Sequence, residues 1–288
     1  MGSRATKSRK TSRSKSRHLR LKRPGPKSLC TFGALLWFCC TLVVAQETRN
    51  LTPVQIEIQK QQQRLSSSDV EERRDAVMRL GSMRLAAASR AAVPALQDAE
   101  PIIRATAAKS ILSIGSEESA ALLLPLLNDK DEFIRRETAY ALGQTHSRSA
   151  TAALSERLLN DKEAGVRGAA AVALGHIADE AAVIALVGIL APELSTPANK
   201  KQKRESNVFV LRAAAVALGQ IRSRAGTAAL VSALNNEKLP SDVRREAARS
   251  LGLIGDPTAT DALKAATTAA DPFLSEIAHA ALKKIEHK

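Results

Sequence analysis

The chain has 288 residues and a formal charge of +14, from 43 Lys/Arg against 29 Asp/Glu, with 44% hydrophobic and 2% aromatic residues. Eleven of the basic residues, and no acid, fall within residues 1–28, while from Gln46 onward 32 basic residues meet 29 acidic ones. A body this close to neutral excludes the basic track that sequence-independent nucleic-acid binding requires.

Taken in chain order, the basic stretch 1–28 runs into residues 29–44, which are apolar and free of charge and hold Cys30, Cys39, Cys40 and the single tryptophan, Trp37. Residues 1–45 read as a signal peptide, with Val43 and Ala45 suited to the −3 and −1 positions of a cleavage site. An uncleaved anchor is the alternative, because the apolar run lies between the lengths of a signal core and of a spanning helix. In both cases the basic flank keeps the N-terminus in the cytoplasm and sends the body across the membrane. The expected location is therefore exported, periplasmic or extracellular, or membrane-anchored with the body outside. The body has no cysteine, so its stability is expected to come from packing and not from disulfides.

Residues 46–65 form a polar lead-in, where Thr52-Pro53 reads as a cap and first-turn proline and Val54, Ile58 and Leu65 fall near helical spacing. A short helix covering one end of the remaining chain is one reading; the Gln-rich run 59–63 leaves a frayed linker as the other. From residue 66 to the end one pattern recurs. In the copy Val166-Arg167-Gly168-Ala169-Ala170-Ala171-Val172-Ala173-Leu174-Gly175, the last position reappears at Gly81, Leu112, Gly143, Gly219, Gly252 and Lys283. Successive intervals are 31, 31, 32, 44, 33 and 31 residues, a period that marks a repeat array. Each unit is expected to be two short antiparallel helices, about 163–175 and 179–190 in the fourth. Helices this short are marginal alone, so they must stack. The expected fold is an all-α solenoid of six to seven two-helix repeats. The alanines (Ala107, Ala108, Ala139, Ala170, Ala171, Ala214, Ala215, Ala247, Ala248) allow close helix approach, and Leu80, Ile111, Leu142, Leu174, Leu218, Leu251 and Leu282 supply buried bulk. The glycines beside them suit helix ends in the left-handed region. Phe133, Tyr140, Phe209 and Phe273 are the only aromatic residues of the body.

The motif Val/Ile-Arg-x-x-Ala-Ala-x-Ala-Leu-Gly-x-Ile, preceded by Asp, resembles the HEAT repeat, in the short form found in phycobilin-lyase-like HEAT proteins. It spans about 220 residues of this chain. The resemblance implies a scaffold that binds other macromolecules and names no ligand.

Arg73, Arg104, Arg135, Arg167 and Arg244 occupy one column of the array, and Asp98, Asp129 and Asp161 stand six residues before three of them. The structural reading is a ladder in which Asp caps a helix and Arg reaches neighbouring turns; the other reading is a basic track for an anionic partner. The column breaks at Leu211, with Arg212 displaced by one, where the long interval inserts a loop over 191–207. Its cluster Lys200, Lys201, Lys203 and Arg204 is the candidate partner-binding segment, weighed against a solvated loop. His146, His176, His279 and His287 carry no HExxH or cysteine companions, so no metal, no cofactor and no catalytic group is expected. The expected function is a non-catalytic scaffold of the cell envelope holding a protein partner. The alternative is a phycobilin-lyase-like or chaperone-like accessory acting on a client, and the membrane enters only through an uncleaved leader.

Overall fold

The computed structural model describes residues 51–191 and 207–287, so the leader 1–45 and most of the 191–207 insertion lie outside the described residues. Residues 54–288 make one compact unit. Its helices are α1 (Pro53–Arg64), α2 (Val70–Ser82), α3 (Ala86–Ala92), α4 (Pro101–Ser110), α5 (Ser116–Leu123), α6 (Glu132–Thr145) and α7 (Thr151–Asn160). They continue with α8 (Ala164–Ile177), α9 (Val183–Leu190), α10 (Val208–Ile221), α11 (Thr227–Asn235), α12 (Ser241–Ile254), α13 (Thr260–Ala266) and α14 (Pro272–Glu286). All are α-helices joined by short 3₁₀ turns, in an all-α solenoid. Even-numbered helices from α2 are the first helix of each unit (A), and the odd-numbered ones from α3 are the second (B). Six complete units are followed by α14, an A helix without a described B partner.

Local chemistry sets the starts. Asp69, Asp131, Asn207 and Asp271 accept the N–H two residues on and so cap α2, α6, α10 and α14. Pro101 and Pro272 open α4 and α14, where a missing N–H costs nothing. The lead-in is helical: α1 buries Ile58 and Gln61, and Arg64 joins it to Asp75 and Glu72 of α2 at 2.7 and 3.2 Å. Each A helix lies against the next A helix, and its Ala and Leu columns are sealed; Ala107, Ala139, Ala170, Ala214, Ala247, Leu142 and Leu174 have no exposed area.

The glycines do a different job from the one expected of them. Gly143, Gly175, Gly219 and Gly252 lie inside their helices, not at the ends, and face the following A helix. A Cβ on Gly143 would stand 2.8 Å from Ala173 Cα, and one on Gly252 2.8 Å from Ala281 Cα. Only a hydrogen fits there. At the second unit, where Leu112 replaces glycine, the α-helix stops at Ser110 and Leu112 opens a 3₁₀ turn. At the last unit the position holds Lys283, which is exposed.

Reversal of the chain is carried three residues later. Arg84, Gly115, His146, Ala178, Arg222 and Gly255 all have positive φ, from 51° to 137°, and four of these are not glycine. A Cβ in the left-handed region costs on the order of 1–2 kcal/mol. Replacing exposed Ala178 (φ 56°) by Gly is therefore expected to raise stability by about 1 kcal/mol, seen as a higher urea midpoint. Gly255→Ala should lower the midpoint by a similar amount, and equal midpoints would refute the strain argument.

Candidate functional site

The arginine column builds a chain of bidentate bridges between units. Arg104 Nε and Nη2 donate to both carboxylate oxygens of Asp129 at 2.9 and 3.1 Å, and Nη1 donates to the carbonyls of Asp98 and Ala99. Arg135 treats Asp161 and the carbonyls of Asp129 and Lys130 the same way, and Arg73 treats Asp98 and the carbonyls of Ser67 and Ser68 alike. Each aspartate also accepts the N–H two residues on, from Glu100, Asp131 and Glu163. One guanidinium thus ties the entry turn of its own unit, six residues behind, to a carboxylate of the next, 25 or 26 residues ahead. Arg167 donates to the carbonyls of Asp161 and Lys162.

The bridges stop where both partners change. Leu211 is buried in place of arginine, and the aspartate position of the following unit is Lys238. One unit on, the column holds Arg244 but the facing position is Ala269. Arg244 does not join the ladder: its Nε donates to Leu234 O, and the bridge to the next helix comes from its neighbour Arg245, bidentate to Asp271 at 2.8 and 2.9 Å. Lys200, Lys201, Lys203 and Arg204 lie outside the described residues.

Burial pushes the carboxyls of Asp98, Asp129 and Asp161 up, but the arginine bridges and main-chain N–H groups outweigh it and hold all three below the usual aspartate range. The Arg245 guanidinium does the same for Asp271. A carboxyl depressed in the folded chain adds stability above its unfolded pKa and loses it as pH falls through the folded value. The melting temperature should hold nearly constant from neutrality to about pH 5 and drop steeply below about pH 4. Thermal melts followed by circular dichroism across that range test this, and a maximum below pH 4 would contradict it.

A second set of polar bridges at the A–B turns escapes a reading of the motif alone. Thr151 and Thr227, buried at the starts of α7 and α11, donate to Asp179 and Asp256 of the next unit at 2.8 and 3.0 Å. A signal is present in the chain all the same: Ser116, Ser147, Asp179, Ser223 and Asp256 each follow the positive-φ residue at the repeat period.

One accessible side of the A helices, called outer here, carries the second and fifth residues of each, counted from its first. Its second column pairs by size with the fifth column of the preceding unit. Phe209 lies across Gly168, where a Cβ would run into the ring, and the Arg136 stem passes Gly165. Phe273 stacks under Arg245 with its guanidinium 5.0 Å from the ring centre, and Arg136 sits 5.4 Å from Phe133. Tyr140 shares this side, so all four aromatic residues of the body gather on the A helices. His146 Nδ1 lies 2.8 Å from His176 O, a link between consecutive units. Among the described residues no three His, Cys, Asp or Glu side chains gather as metal ligands, and no helix is long and apolar enough to cross a membrane.

The family model for HEAT repeats matches residues 58–143, 121–195 and 201–283. No curated protein matches the sequence. Among solved structures, the chain is similar to the complex of CpcE and CpcF of phycocyanin lyase from Nostoc sp. PCC7120, at 24% identity and a TM-score of 0.46, over 83% of this chain and 89% of that one. It is also similar to human deoxyhypusine hydroxylase in complex with glycerol, at 22% identity and a TM-score of 0.41, over 80% and 85% of the two chains. An engineered protein matches at 22% identity and a TM-score of 0.45, over 80% and 68%.

Proposed function

Since the chain belongs to the HEAT-repeat family, we propose that it is a non-catalytic scaffold of the cell envelope that holds a protein partner on the outer side of its A helices. The observation that carries the reading is that Phe133, Tyr140, Phe209 and Phe273 all stand on A helices, with Phe209 and Phe273 exposed and Arg136 and Arg245 against the rings of Phe133 and Phe273. Aromatic and arginine side chains are the ones enriched at protein interfaces and their energetic centres. Most other distinctive residues, the Asp–Arg bridges and the glycine column, are consumed in holding unit to unit. HEAT repeats generally mediate protein interactions, which supports the same reading.

The location rests on the leader. Its basic run, uncharged apolar stretch and small residues at Val43 and Ala45 support export with cleavage before Gln46. Two measurements test the proposal. N-terminal sequencing of the native protein is expected to begin at Gln46, with tryptophan emission lost along with Trp37. A photo-crosslinker placed at Tyr140 is expected to trap one protein partner reproducibly in the envelope fraction. A cytoplasmic protein with its leader intact, or no reproducible adduct at several salt concentrations, would sink it.

A further inference from the structure

On the outer side of α10, α12 and α14 a cluster of arginines meets apolar surface. A groove of about 300 Å³ is lined there by Arg212, Asp242, Arg245, Glu246, Arg249, Phe273 and Ile277. Arg212 is exposed and forms no ion pair among the described residues. Arg249 reaches only Glu246, at 3.3 Å and on a half-exposed side chain, a pairing worth little in water. Arg245 is committed to Asp271 and to the Phe273 ring, which fixes that ring in place while 64% of Phe273 remains exposed.

We propose that this groove is the docking site for an acidic, apolar-studded segment of the protein partner, with carboxylates on Arg212 and Arg249 and an apolar side chain against Phe273 and Ile277. Arg212, with no ion pair among the described residues, and the weakly held Arg249 select an acidic occupant. The two carboxylates in the same lining, Asp242 and Glu246, select a polypeptide: a continuous phosphate backbone or an anionic lipid surface would be pressed against them, while a peptide can space its acids around them. An aromatic wall beside exposed arginines is also the composition of a binding centre between proteins.

The proposal rests on the scaffold reading and can fail without it. Fluorescence polarisation would be measured with the full chain and a short fluorescein-labelled peptide alternating Asp/Glu with Phe/Leu. Salt-sensitive binding is expected, weakened roughly tenfold by Arg212→Glu with Arg249→Glu and severalfold by Phe273→Ala. Lys264→Glu, on α13, should leave it unchanged. Absent binding, or binding equal in the charge-reversed variant with intact circular dichroism, overturns the proposal. So does tighter binding of a single-stranded oligonucleotide or of phosphatidylglycerol vesicles that the same reversal abolishes. The Tyr140 crosslink is read separately, on another stretch of the array, so a failed peptide test leaves the scaffold reading standing.

Discussion

Arg135→Ala is expected to remove about 3–5 kcal/mol of stability. The side chains of Arg135 and Asp161 are 7% and 2% exposed, and the guanidinium serves two acceptors on each side of it. Truncation takes the bidentate donor from Asp161, which keeps the Glu163 N–H and Arg157 at 3.8 Å but sits where water scarcely reaches, and leaves the carbonyls of Asp129 and Lys130 without this donor. Replacing both partners is a different matter, since an uncharged pair of similar shape carries no desolvation cost. The fifth unit shows the array tolerating that state, with buried Leu211 in the arginine position and no carboxylate facing it. Arg135→Leu combined with Asp161→Ala should therefore recover most of the loss. Urea titrations of the two single variants and the double variant decide it. A loss below about 1 kcal/mol in the singles, or a double variant no better than either, would show that the bridges are ornamental.

Gly143→Ala should destabilise the array by about 2–3 kcal/mol, although helix propensity alone favours Ala over Gly by about 1 kcal/mol. The added methyl would have to stand 2.8 Å from Ala173 Cα, and backbone cannot step aside as a long side chain can. α6 and α8 must separate, losing contacts along the Ala and Leu columns between them. Two controls isolate the cause. Gly165→Ala, whose nearest neighbour is the flexible Arg136 Cδ at 3.6 Å, is expected to be neutral or mildly stabilising. Adding Ala173→Gly to Gly143→Ala should restore part of the loss by lowering the opposing surface. If Gly143→Ala melts higher than the parent, the interlocking role assigned to the glycine column is wrong.

The repeat period makes the helices and their sealed columns legible, because the same Ala and Leu must return to the same interface every 31 to 33 residues, the one 44-residue interval aside. The glycines mislead for a physical reason. One residue type suits both a left-handed helix end and a contact with no room for Cβ, and spacing alone does not distinguish them. Only the neighbouring helix does. The true left-handed positions stay hidden because His146, Ala178 and Arg222 accept the strain without the usual glycine marker. Arginine and aspartate are visible as a column, but which unit each guanidinium reaches depends on how far one unit is rotated against the next. Arg244 illustrates the limit: its own residues look like the ladder, and its fate is decided by Ala269, 25 positions away. Of the candidate binding residues, the aromatics can be counted in the sequence but not placed, since their common side emerges only when seven A helices are laid in register.

Lys283 sets α14 apart from most of the other A helices. Every preceding unit but one offers the next helix a slot one hydrogen deep, and a helix bearing Ala or Ser at the matching position can always fill it. Such a surface is a template for one particular neighbour. On α14 the same position carries an exposed, flexible, charged side chain in place of the slot, so this face lacks the interlock that joins most of the earlier A helices to one another.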